Sequence, residues 1–215
     1  MGKPSSGGAG GSGGRGRAAP PAVEPERNYR EFAANDGKAI DDVIRAQWAK
    51  QDPSSVADLD DYQSGAWINY VLRRKPESLS SSRAIQSLTG IDKAMNPLEE
   101  NTILHRGTLL PGIDAIVNQF GIDGAVGKVI DDKGYISTSY DKSVGDEFRK
   151  MYGGDNLTQL RIRAPKGTKG VYMNPNSESH GYQREFLLAR NTSLRIVSIQ
   201  KNAAGYYDIE AEAVQ

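Results

Sequence analysis

Three polar interruptions in otherwise apolar runs carry the chemistry that this sequence can do. In GYQREFLLAR (181–190), Gln183 and Glu185 sit two residues apart at the head of Phe186-Leu187-Leu188. Strand side chains alternate, so Gln183, Glu185 and Leu187 would share one face, and Arg184, Phe186 and Leu188 the other. A carboxylate entering a core is rare unless it is paired or working. Earlier, Arg106 follows Ile103-Leu104 in ILHRG, and Ser137-Thr138-Ser139 ends GYISTS. Taken singly, an arginine at a strand end is ordinarily an ion pair, three hydroxyls a strand edge or helix cap, and Gln-x-Glu plain surface. Together they form a kit. Arginine suits bidentate binding of phosphate, and small hydroxyls orient a carboxylate or a ribose. A lone carboxylate in a dry cleft stabilises positive charge on a sugar carbon as its leaving group departs. These are the parts needed to break an N-glycosidic bond of a dinucleotide, where nicotinamide leaves as a neutral group without a general acid.

The elements that must position this kit follow from periodicity. Residues 29–50 form helix, with a break near Gly37. Residues 57–74 (ADLDDYQSGAWINYVLRR) show helical spacing, and 80–95 carry Ile85, Leu88, Ile91 and Met95 as a stripe. After Pro97 the pattern turns to strands at 101–107, 134–139, 157–163, 169–173, 184–190, 194–201 and 206–212, with short helices at 113–120 and 142–151. Helices first and strands later indicate one α+β domain, not repeating βαβ units.

Composition narrows the classes further. The 215 residues carry 27 Lys plus Arg against 27 Asp plus Glu, so no nucleic-acid footprint is present. With no cysteine and only His105 and His180, thiolate chemistry is excluded and no metal is expected. No apolar run is long enough for a membrane span, and no secretory signal core is seen. Residues 1–27 read as a disordered Gly/Ser/Pro-rich leader to a single domain at 28–215. The leader contains Gly8-x-Gly10-x-x-Gly13, a dinucleotide spacing with no strand before it, and a loose N-myristoylation pattern at Met1–Ser6, both better explained by composition. Gly121–Lys128 is a phosphate loop one residue too long, with Val129 where a hydroxyl belongs.

The ordered set resembles the arginine, Ser-Thr-Ser, (Gln or Glu)-x-Glu class of mono-ADP-ribosyltransferases, in its bacterial exoenzyme branch. YISTSYDKSVGDEF looks like the family's second motif with its helix, and LRIRAPKGTKGVYM with QREFLLARNTSLRIV looks like its closing β-section. WINYVLR resembles the family helix whose Asn and Arg touch NAD, here Asn69 and Arg73. The likeness spans roughly 57–200. It implies the ADP-ribosyltransferase fold: N-terminal helices on a two-sheet, mainly antiparallel β core around a central NAD cleft.

The resemblance also implies roles. Arg106 would hold NAD phosphate and Gly107 the nicotinamide amide. Ser137 would orient Glu185, with Thr138 and Ser139 shaping the ribose pocket. Glu185 would bind the ribose and stabilise the oxocarbenium-like transition state. Gln183 would bind the acceptor side chain, with His180 and Tyr182 in the target-recognising loop from about Asn174 to Tyr182. Adjacent Phe148 and Arg149 depart from the family's spaced pair, leaving Arg149 as a candidate NAD contact and Phe148 as core. His180 replaces the exoenzymes' usual aromatic.

In the class that the sequence resembles, Glu at the position of Gln183 goes with arginine acceptors and Gln with an asparagine acceptor. Glutamine cannot take a proton, so the resemblance implies Asn or Gln acceptors. The resemblance implies that NAD is consumed as a substrate and not retained as a cofactor. The implied protein is a toxin or effector, delivered without a classical signal peptide and acting on a host or target protein in the cytosol. The alternatives are an NAD glycohydrolase and an inactive NAD-fold module.

Overall fold

The computed structural model describes residues 28–33, 36–109, 113–151, 157–203 and 205–215, with the side chains of 109, 149–151 and 157 not described. The leader at 1–27, with its glycine spacing and myristoylation pattern, lies outside the described residues. Helix α1 (Gly37–Trp48) places Ile40 and Ile44 in the core; the expected break at Gly37 is where it begins. The single helix expected at 57–74 is two. Pro53, at its first position, and the Asp52 carboxylate, accepting from the Ser54 amide at 2.9 Å, start α2 (Pro53–Gly65). Ala66 takes a left-handed backbone (φ 46°), and α3 (Trp67–Arg74) leaves in a new direction. Ser81 caps α4 (Ser82–Ala94). Its inner stripe runs through Ala84, Ile91 and Ala94, and Ile85, expected inside, is exposed. Two further helices, α5 (Ile113–Ala125), kinked at Gly121, and α6 (Lys142–Met151), complete the set.

Among the described residues there are nine strands, in chain order β1 (Asn96–Pro97), β2 (Thr102–Leu109), β3 (Val129–Asp131), β4 (Ile136–Ser139), β5 (Leu157–Ala164), β6 (Lys169–Tyr172), β7 (Glu185–Leu188), β8 (Ser193–Lys201) and β9 (Tyr207–Val214). The sheet order is β1-β6-β7-β4-β2-β5-β9-β8-β3, antiparallel except for the parallel pair β5–β9. The halves either side of β2–β4 are joined through one register pair, His105 with Ser139. The sheet is therefore nearly divided at the point where Arg106 and the Ser-Thr-Ser run meet. Two apolar clusters pack on the sheet, the first shared by both halves. One apolar cluster joins Ile40, Leu104, Ile136, Leu160, Phe186 and Ile196; the other sets Leu59, Ile68, Val71 and Ile91 of α2–α4 on Tyr135, Val171 and Leu187. Burying such side chains contributes roughly 1.5–3 kcal/mol each.

The strand expected at 184–190 is shorter. Gly181–Gln183 form a single 3-10 turn, Arg184 is left-handed (φ 47°, ψ 45°), and β7 starts at Glu185. Strand alternation therefore does not relate Gln183 to Glu185. A reversed turn brings them to one place instead.

Candidate active site

β7 obeys its period: Phe186 and Leu188 face the first cluster, while Leu187 faces the helices with Glu185 two residues earlier. Where α2 and α3 stop covering the sheet, a cleft of about 600 Å³ opens over Glu185. The β4–β7 register sets Ser139 across from Glu185 and Ser137 across from Leu187, all on that helix-facing side. The Ser137 hydroxyl donates to Glu185 Oε1 at 2.5 Å. Ser139 donates to the carbonyl of Gln183 at 2.7 Å, and Thr138 to that of Phe186 at 2.5 Å. One hydroxyl holds the carboxylate and the other two hold the backbone around it.

Arg106 bridges the near-division of the sheet. Its guanidinium donates to the main-chain carbonyl of Ser137 and to Thr108 Oγ1 at 3.4 Å. It replaces a ladder bond that β2 and β4 cannot make while splayed. Gly145 of α6 lies against the amides of Arg106 and Gly107, and a Cβ there would stand 2.9 Å from Gln159 Nε2. Glu185 is 6 % exposed. Burial pushes its pKa up to about 7, against the opposing pull of the Ser137 hydrogen bond and the Arg106 charge. A carboxyl poised near neutrality in a cleft is a functional-site signature.

Asn69 and Arg73 line the same cleft with their polar ends engaged by the protein. Asn69 donates to Tyr62 Oη at 2.6 Å and to the Tyr135 carbonyl at 3.0 Å, and accepts from the Tyr135 amide at 2.8 Å. Arg73 makes a bidentate pair with Asp132, both bonds 2.8 Å, and donates to the Tyr135 carbonyl at 2.9 Å. Together they clamp the segment leading into β4, and Gly134 is small because both lean on it.

The family model described as ADP-ribosyltransferase exoenzyme matches residues 41–214. The chain belongs to that family. This enzyme is therefore an NAD-dependent ADP-ribosyltransferase, with NAD as its consumed substrate. Its fold is that of the C3 exoenzymes. The Clostridium limosum C3 exoenzyme superposes with a TM-score of 0.67 at 26% identity, over 88% of this chain and 98% of that one. An ADP-ribosyltransferase from Clostridium botulinum gives 0.66 at 23%, over 88% and 100%. An ADP-ribosyltransferase toxin from Paenibacillus larvae gives 0.65 at 22%, over 84% and 97%. No curated protein sequence matches the chain.

The cleft gathers Asn69, Arg73, Arg106, Gly107, Ser137, Thr138, Ser139, His180, Gln183 and Glu185. Tyr182 is 53 % exposed and lies outside the cleft lining. The Arg149 side chain lies outside the described residues. Phe148, expected in the core, is half-buried and lines the cleft, so the aromatic of α6 is a wall residue. Sequence reasoning missed Tyr62, Tyr70 and Arg74, which also line the cleft. Their signal was present in helical spacing: Tyr70 and Arg74 are four apart and flank Asn69 and Arg73 on α3. Among the described residues, no group of three or more His, Cys, Asp or Glu could hold a metal ion, and no helix is long and apolar enough to cross a membrane.

Proposed function

We propose that the enzyme transfers a single ADP-ribose from NAD to a carboxamide side chain, asparagine or glutamine, of a target protein. The observation that carries this reading is the Ser137–Glu185 bond of 2.5 Å in a cleft also lined by Arg106 and Gln183. In this reading Arg106 and Gly107 grip NAD. The C–N bond between ribose and nicotinamide breaks, and nicotinamide leaves with the bonding electrons. Glu185, held by Ser137, stabilises the oxocarbenium-like sugar that remains. The acceptor nitrogen attacks from the opposite face, forming the new C–N bond with inversion and releasing its proton to water. Gln183 orients that side chain by accepting and donating hydrogen bonds. It cannot remove a proton, which fits a carboxamide better than a guanidinium. Thr138 and Ser139 shape the ribose pocket, and His180 and Tyr182 flank the approach of the target.

The same family placement favours a toxin or effector that acts in the cytosol of a target cell. Labelled NAD mixed with a host lysate, followed by mass spectrometry of the labelled protein, tests the acceptor. ADP-ribose on Asn or Gln supports the reading, and ADP-ribose on Arg contradicts the role given to Gln183. Nicotinamide release with no labelled protein would favour a glycohydrolase.

A further inference from the structure

Arg184 links the turn between Gln183 and Glu185 to a helix that does not line the cleft. Its guanidinium donates to Asp41 of α1 at 2.8 and 3.4 Å, and to Asp141 at 2.5 Å. Asp141 is 5 % exposed and receives the Ser143 amide at 2.9 Å, so it is itself fixed at the start of α6. The carbonyl of Arg184 accepts from the Tyr140 amide at 3.2 Å. Gly37 supplies the seat: a Cβ there would stand 2.7 Å from an Arg184 terminal nitrogen. These contacts hold a non-glycine residue in the left-handed region, where an unsupported side chain is disfavoured.

The same helix reaches the far end of the loop. Arg45 lies one turn after Asp41 on the same face of α1, and it donates to Asn176 Oδ1 at 2.8 Å. We infer that this face of α1 braces both ends of the 174–184 segment, and thereby sets how ADP-ribose partitions between a protein side chain and water. Asp41, Arg45 and Arg184 are then positioning residues: none lines the cleft, and each acts through the placement of Gln183. This inference rests on the transferase reading above.

The test uses Asp41→Asn, Arg45→Ala and the conservative Asp41→Glu in the full chain, with three readouts. Nicotinamide release without acceptor should stay within about twofold of wild type. Transfer to the acceptor protein should fall by about tenfold or more in Asp41→Asn and Arg45→Ala, and less in Asp41→Glu, as expected when a reacting group is misplaced. Cleavage after Glu178 by a glutamyl endopeptidase, followed by mass spectrometry, should quicken by about fivefold in the first two variants, because a released loop opens more often. Unchanged transfer and cleavage would overturn the brace, as would equal loss of nicotinamide release and transfer. If the wild type releases nicotinamide but labels no protein, the transferase reading fails. Cleavage at Glu178 then still decides the brace: acceleration supports it and constancy refutes it.

Discussion

Ser137 and Glu185 are bonded at 2.5 Å without facing each other across their strands. Ser137 is paired with Leu187, and Glu185 with Ser139. The bond is thus diagonal, and the hydroxyl directly opposite Glu185 is left to hold the carbonyl of Gln183 instead. Two serines one period apart divide the work between the carboxylate and the turn that carries Gln183.

Removing the diagonal partner should alter the acid before it alters the fold. Ser137→Ala deletes the hydrogen bond that opposes desolvation, so the pKa of Glu185 moves further up. Nicotinamide release at pH 7 should fall by roughly 10- to 100-fold. The defect should shrink at pH 9, where the carboxyl ionises anyway. A pH–rate profile checks this, and a deficit equal at both pH values would contradict it.

The position of that pKa fixes the pH dependence of the wild type. In the role proposed for Glu185 the ionised carboxylate is the active form, so kcat/KM for NAD should rise through about pH 7. The stability effect has the opposite sense. The folded-state value of about 7 lies above the ordinary carboxyl value of 4.5, so the favourable contribution is whole below pH 4.5 and lost between 4.5 and 7. Glu185→Gln lacks this loss. Denaturant melts should show it matching wild type near pH 4 and exceeding it by about 3 kcal/mol at pH 8.

Asn69 predicts a stability effect that needs no ligand. Its amide meets Tyr62 and both main-chain groups of Tyr135 in a buried position. Asn69→Ala strands those partners and should cost about 2–4 kcal/mol. Denaturation without NAD reads this directly. A loss appearing only in NAD affinity would show that Asn69 serves the ligand and not the clamp.

The chemistry is more legible in the sequence than the geometry that delivers it. Arg106, Ser137 and Glu185 stand out as polar residues in apolar strands, and the structure places all three at one cleft. Strand alternation misreads the relation of Gln183 to Glu185. Arg184 is neither Gly nor Asn, so nothing local announces its left-handed turn; Asp41 and Asp141, distant in sequence, hold it there. Ala66 is the same case, dividing an apparently continuous helix by a conformation that alanine alone does not favour. Phe148 reads as core because aromatic spacing on a helix cannot distinguish a packed face from a cleft wall. β3 pairs through only three residues, too few for alternation to register.

Glu185 is assigned to stabilising the departing bond and not to holding NAD in the ground state. Single-turnover nicotinamide release and NAD affinity, measured together on Glu185→Gln and wild type at pH 8, separate the two roles. The expected result is a rate lowered by about 100-fold or more, with the Kd for NAD within about threefold of wild type. Near-wild-type release, or a rate loss matched by an equal loss of affinity, would contradict the assignment.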